Sequence, residues 1–272
     1  MIGKKIRLKR IFDAKTNTTV IVPIDHGPEG WWAGIEDPIQ TVKAIVKGGV
    51  NGLLLRRNIA KIAVEEYGGK AALLLRVGCI TPFSKEAIIR EALTSSVEEA
   101  IRLGADAVVY TVFLGGGGEL DSIQDFGALA DACDYWEVPL MGEILLVKGE
   151  IIKNPYSAET LRVAARYIAE EGADIVKISY TGDRESFRSV VKYCPAPIVI
   201  AGGETLGSDL DVLKMIEDAM KAGAKGICIG RNIWNRENPT EMVKAAKLIV
   251  KGEATAEEAY EKLRSLMVKK NG

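Results

Sequence analysis

A lysine stands inside an apolar run at Asp174-Ile-Val-Lys177-Ile-Ser-Tyr-Thr. Lysine is seldom fully buried unless it is paired or chemically used. Desolvation lowers the pKa of an amine, and an amine that is neutral at pH 7 can attack a carbonyl to form a Schiff base. Strand alternation sets Lys177 on one face with Ile175 and Ser179. If that face looks inward, Lys177 is a nucleophile. If it looks outward, the side chain snorkels past helices or pairs with an acid. Glu143 interrupts a second apolar run, Pro139-Leu-Met-Gly-Glu143-Ile-Leu-Leu-Val. A buried carboxylate needs a partner, and Lys177 on a neighbouring strand is an obvious one. Alternation groups Glu143 with Met141 and Leu145. Such a pair is a salt bridge or a proton-transfer couple, and the sequence allows both.

Two glycine-bearing segments suit an anion. One is Ile200-Ala-Gly202-Gly203-Glu204 and the other is Ile229-Gly230-Arg231-Asn232. Glycines let backbone N–H groups approach a phosphate closely, and Arg231 adds a charge; tight turns are the rival reading. Asp25-His26-Gly27 follows an earlier apolar run. Asp25 can bind a substrate hydroxyl or hold a lysine's charge, or simply cap a helix. His26 is the only histidine. It serves at the site or is a satisfied structural residue, and it excludes a His-based zinc cluster. The glycine run 115–118 lacks the Lys-Ser/Thr of a P-loop. Arg56-Arg57 suits a second anion or a solvated pair, and Trp31-Trp32 a stacking face or a subunit contact.

The elements that must position these residues announce themselves by repetition. Gly49, Gly104, Gly172 and Gly223 each follow an amphipathic stretch and precede an apolar run. Each glycine takes the left-handed position that ends a helix, and the run after it starts a buried strand. Their spacing of roughly 50–70 residues is too long for one βα unit and fits two. With the apolar runs between them they predict eight strands, at 19–24, 52–55, 71–76, 107–112, 139–146, 175–179, 197–201 and 226–230. Helices at 239–250 and 255–267 close the chain. Strands alternating with helices make a parallel sheet, and eight units in about 250 residues make a (β/α)8 TIM barrel of the α/β class. A doubly wound sheet is the rival, but the first strand leads into Ile24-Asp-His-Gly rather than GxGxxG. The site then lies at the C-terminal ends of the strands, with the glycine turns after strands seven and eight. No Pro- or Ser-rich linker divides residues 1–272, which form one domain with a short N-terminal arm and a C-terminal helix.

Composition narrows the function classes. The 272 residues carry a net charge of −1, which removes the broad attraction that non-specific nucleic-acid binding needs. No apolar window is long enough for a membrane span, and the N-terminus does not read as a secretory signal. None of the four cysteines pairs as CxxC. Buried thiols and a cytoplasmic location are the expectation.

Several stretches together resemble the archaeal-type class I fructose-bisphosphate aldolases. They are Ile24-Asp-His-Gly, Gly104-Ala-Asp-Ala, Gly172-Ala-Asp-Ile-Val-Lys177, Tyr180-Thr-Gly, Cys194-Pro-Ala-Pro-Ile-Val-Ile-Ala-Gly-Gly203 and Gly230-Arg-Asn-Ile. That DeoC/LacD-like group also includes the aminodideoxyheptulosonate synthases and the autoinducer-2 pathway thiolase. The resemblance runs over nearly the whole chain. It implies a (β/α)8 barrel, a Schiff base at Lys177 and proton transfer assisted by Asp25. It places a substrate phosphate on the Gly202-Gly203 and Gly230-Arg231 turns, with His26 beside them. It implies no metal or cofactor, and a homo-oligomer such as a pentamer or decamer.

One departure stands out. The family's Tyr-Pro-Arg-Gly, whose tyrosine is an acid/base, has Leu146-Val-Lys148-Gly as its counterpart here. Lys148 stands in for the family arginine, the hydroxyl is gone, and the thiolase branch also lacks that tyrosine. Glu143 and Asp25 are the remaining candidates for the proton. The expected activity is class I aldol chemistry on a phosphorylated ketose. A thiolase- or heptulosonate-synthase-like transferase and a non-catalytic sugar-phosphate-binding protein are the alternatives. The leucine favours the two alternatives; the retained Lys177 favours the two enzymes.

Overall fold

The computed structural model describes residues 1–81, 83 and 90–271, with side chains through residue 265. Its strands in chain order are β1 (Thr19–Pro23), β2 (Gly52–Leu55), β3 (Ala72–Arg76), β4 (Gly78–Cys79), β5 (Ala92–Leu93), β6 (Ala107–Leu114), β7 (Leu140–Leu146), β8 (Ile175–Ser179), β9 (Ile198–Ala201) and β10 (Gly226–Cys228). Eight of them close a parallel barrel in the order β1-β10-β9-β8-β7-β6-β3-β2; β4 and β5 form a small antiparallel ribbon. The barrel strands fall on the eight segments expected, with ends shifted by at most two residues. The strand expected at 107–112 runs on to Leu114, and that at 226–230 stops at Cys228 so that Gly230 can cap the helix Arg231–Trp234.

The repeated glycines do what their position requires. Gly49, Gly104, Gly172 and Gly223 have φ of 84°, 77°, 110° and 108°, the left-handed region that ends a helix cheaply only for glycine. Five of the helices start on N-terminal side-chain caps. Asp37, Ser96, Ser157, Asp183 and Ser208 each accept from a first-turn N–H.

Two apolar layers result. The outer one lies between strands and helices and holds Val22, Leu53, Leu75, Val108, Ile144, Val176 and Ile200. The inner one fills the lower barrel with Ile21, Leu54, Leu74, Val109, Met141, Ile175, Val199 and Cys228. The N-terminal arm proves to be a helix, Ile2–Ile11, whose end plugs the barrel floor with Ile11 and Phe12. Its charged sequence hides this role, because only the last two residues enter the core.

Above the inner layer, the same alternation brings polar side chains inward. Two residues beyond Leu74 stands Arg76, beyond Val109 Thr111, beyond Met141 Glu143 and beyond Ile175 Lys177. In a parallel barrel the inward positions of neighbouring strands share a level. The register therefore sets Thr111 beside Glu143 and Glu143 beside Lys177.

Candidate functional site

A cavity of about 580 Å³ opens at the C-terminal ends of the strands. Asp25, Arg76, Glu143 and Lys177 are at its base, and Gly203, Gly230 and Arg231 are at one side. Lys177 is 6% exposed, and its Nζ lies 2.6 Å from Glu143 Oε1. Lys177 and Glu143 both face inward, so the strand alternation read from the sequence holds.

The charge state of the lysine does not follow the sequence expectation. Burial is the strongest single influence and lowers its proton affinity, but Glu143 and the weaker acidic neighbours, Asp25 among them, together outweigh it, and the pKa ends above the ordinary lysine value. The resting pair is thus ammonium and carboxylate. Burial pushes Glu143 up, while Lys177 and Arg76 pull it down to about 2. Asp25 is also buried, yet Arg76, His26 and Lys177 hold its carboxyl far below the usual range. Burial pushes the His26 imidazole down to about 4, so it is neutral at pH 7.

The sequence reading missed the centre of this cluster. Arg76, 5% exposed, donates from Nε to Asp25 Oδ2 at 2.8 Å and from Nη1 to Thr111 Oγ1 at 2.7 Å. Its Nη2 donates to Glu143 Oε2. Glu91 reaches the same guanidinium at 3.7 Å and accepts the Thr111 N–H at 3.0 Å. A signal existed for Arg76: like Lys177, it is a charge at the end of an apolar run. Glu91 left none, since it lies in the long connection between β4 and β5.

The two glycine turns are built as a unit. Gly203 has φ +61°, and a Cβ there would meet nothing within 4 Å. At Gly230 a Cβ would lie 2.7 Å from His26 Cε1 and 2.9 Å from Pro23 O. Asn232, fully buried, donates from Nδ2 to Gly202 O and Glu204 O and accepts from Leu206 N–H, tying the two turns together. Arg231 donates to Gly203 O at 2.9 Å and lies over the Trp32 ring at 5.2 Å. Trp32 therefore packs inside the site region, and Trp31 is exposed. His26 lines the cavity, edge-on to Trp234 at 5.3 Å. Arg56 also lines it, donating to Asp25 O and Gly78 O.

One expectation is corrected. Lys148 is exposed and outside the cavity lining, because the chain has left β7 by that point. Leu145 and Leu146 both line the cavity; Leu145 pairs in register with Phe113, which lines it too, and Leu146 pairs with Leu114. Neither leucine carries a proton.

Among the described residues no group of three or more His, Cys, Asp and Glu is placed to hold a metal, and no helix is long and apolar enough to cross a membrane. The cysteines are free; Cys133, Cys194 and Cys228 are buried and Cys79 is half-buried.

Known proteins resemble this chain in sequence and fold. Residues 19–236 match the model of the DeoC/LacD family aldolases. The chain is 36% identical over 261 residues to a 2-amino-3,7-dideoxy-D-threo-hept-6-ulosonate synthase of Archaeoglobus fulgidus, covering 96% of each chain. It is 31% identical to a 2-amino-4,5-dihydroxy-6-oxo-7-(phosphonooxy)heptanoate synthase of Streptomyces griseus, over 88% of this chain and 87% of that one. An archaeal fructose 1,6-bisphosphate aldolase superposes with a TM-score of 0.82 at 30% identity, covering 92% of this chain and 99% of the other. A second archaeal aldolase structure of that kind, with its catalytic lysine covalently bound to the carbinolamine intermediate, superposes equally well, at TM-score 0.82 and 30% identity over 92% of this chain and all of the other. With a closed barrel, an inward lysine on β8 and this likeness along nearly its whole length, the chain belongs to the DeoC/LacD family of class I, Schiff-base aldolases.

Proposed function

We propose that the protein forms and breaks a carbon–carbon bond in a phosphorylated ketose through an imine on Lys177. One observation carries this reading. The only inward lysine of the described barrel strands sits at the cavity base, 2.6 Å from a carboxylate that can take its proton.

Glu143 first accepts a proton from Lys177, and the neutral amine adds to the substrate carbonyl. The carbinolamine hydroxyl then takes a proton from Glu143 and leaves as water. The resulting iminium withdraws electrons from the adjacent carbon. Asp25, on the far side of Arg76, accepts the proton of the hydroxyl whose carbon departs, and that carbon leaves as an aldehyde. The electron pair of the broken bond rests as an enamine, which is protonated before water releases the ketone. The phosphate end lies on the Gly203 and Gly230 turns, where Arg231 supplies charge.

Transfer to an acceptor is a second reading, and Leu146 favours it. A leucine where the family has its acid/base tyrosine offers no proton to a leaving or arriving oxygen there. The nearby wall of Phe113, Ile144 and Leu145 is apolar as well. The relatives named as synthases point the same way.

Borohydride trapping with a panel of phosphorylated ketoses, read by peptide mass spectrometry, tests the shared step. An adduct on Lys177 that disappears in Lys177→Ala is expected. An adduct on another lysine, or none with any ketose of the panel, would sink the proposal. Aldehyde release without acceptor separates cleavage from transfer.

A further inference from the structure

We propose that Arg76 is a positioning residue that keeps Asp25 and Glu143 ionised together and fixes both against Lys177, with Glu91 anchoring it from behind. Three carboxylates, those of Asp25, Glu91 and Glu143, converge within one barrel mouth. Among like charges this close, the first ionisation makes the next one harder. Lys177 can offset one of them. Arg76 is the second cation, and its planar fork of fixed donors, charged at any accessible pH, can serve several partners at once. Nε serves Asp25, Nη2 serves Glu143, and Nη1 is pinned by Thr111 Oγ1.

The division of oxygens gives the arrangement its consequence. Arg76 takes Glu143 Oε2, and Lys177 takes Oε1. Glu143 is therefore held from one side while its other oxygen stays free to exchange a proton with the amine. Asp25 is turned likewise, with Oδ2 on Arg76 and Oδ1 towards His26. The remaining titratable neighbours are Glu29, a further carboxyl on the cavity wall that burial pushes up, His26, neutral at pH 7, and Cys228, whose thiol burial pushes up to about 12. The other cations on the wall, Arg56 and Arg231, donate to backbone carbonyls. None of these takes the place of the guanidinium.

Glu91 completes the frame. It is 4% exposed and its pKa is raised by burial despite Arg76. It contacts no atom of Lys177 among its described ion pairs, so it acts on the lysine only through Arg76. Gly78 admits it: a Cβ at Gly78 would lie 2.0 Å from Glu91 Oε2.

The experiment is a carboxyl titration by 13C NMR on protein labelled at the Asp and Glu carboxyls. Signals are assigned with Glu143→Gln and Asp25→Asn. In the parent, neither carboxyl titrates between pH 5 and pH 8. In Arg76→Gln, at least one of the two titrates inside that window, which for Glu143 is a rise of about three pH units or more from its value of about 2. Arg76→Lys keeps the charge and loses the fork. Both carboxyls stay ionised there, and borohydride trapping of dihydroxyacetone phosphate, the smallest phosphorylated ketone, slows at least tenfold. Two results overturn the proposal: an Arg76→Gln protein with both carboxyls still ionised at pH 5, or an Arg76→Lys protein with both carboxyls and its trapping rate unchanged. Should Arg76→Gln not fold, the Arg76→Lys arm decides alone. The trapping arm rests on the Lys177 imine reading. A parent that forms no adduct with this ketone counts against that reading, while the titration still judges Arg76.

Discussion

Two lysines of this chain are nearly equally buried, one at each end of the barrel, and they teach opposite lessons. Lys4, on the N-terminal helix, is 5% exposed and pairs with Asp134 at 2.5 Å and Asp174 at 2.7 Å. Lys177 is 6% exposed and pairs with Glu143 at 2.6 Å. In both, the acid partners raise the pKa against burial. Burial and pairing therefore do not separate a fastener from a nucleophile. The surroundings do. Lys4 ties its helix to the ends of Glu119–Tyr135 and β7, and Asp174 also accepts the Leu140 N–H. Lys177 faces a cavity large enough for a sugar phosphate, and its partner is already committed to a second cation.

The contrast is sharpest when each lysine is removed. Lys177→Ala is expected to abolish both turnover and borohydride adduct while the protein still unfolds cooperatively. Lys4→Met should leave the adduct intact. Trapping and thermal unfolding on both variants would show it; an adduct lost in Lys4→Met and kept in Lys177→Ala would reverse the assignment.

Glu143→Gln probes the partner. The amide keeps the shape but cannot take a proton, so kcat should fall by about 10²-fold or more. Carbinolamine formation should slow with it. Full activity in this variant would make Glu143 a structural counterion and move the proton to Asp25 or water.

The floor pair should read out in stability. Lys4→Met is expected to cost about 2 kcal/mol, less than a fully buried pair because Asp134 is mostly exposed. The sign with pH follows from the raised Lys4 pKa. Its contribution is complete below the unfolded value of 10.5 and fades as pH rises through the higher folded value. Urea unfolding at pH 8 and pH 11.5 should thus show the parent–variant gap shrinking at the alkaline end. A gap that widens there would contradict the ion-pair account.

Much of this was legible before any coordinates, because periodicity and glycine conformation are local. The four left-handed glycines, the eight strands and the pairing of Lys177 with Glu143 as candidates follow from spacing within a few residues, while the face they take does not. What stayed hidden depends on distance along the chain. Arg76 meets Glu143 only because β3 and β7 both flank β6 in the closed barrel. Glu91 reaches that guanidinium from outside the barrel strands. The N-terminal helix showed no apolar face long enough to announce a plug.

The smallest effect expected separates the two glycine turns. At Gly230 a side chain would strike His26, Pro23 O and Trp234 Nε1, so substitution there damages packing and reports on folding. Gly203 has open space around its missing Cβ, and only its φ of +61° resists a side chain. Valine there costs about 1–2 kcal/mol of backbone strain. It also places a branched group where the backbone would approach a phosphate. Gly203→Val should therefore raise KM for a phosphorylated ketose about tenfold and leave kcat within about threefold. The same variant should show no KM change for a ketose without phosphate. Equal losses with both substrates would mean the turn shapes the cavity rather than holding the anion, and the phosphate would then belong beside Arg56.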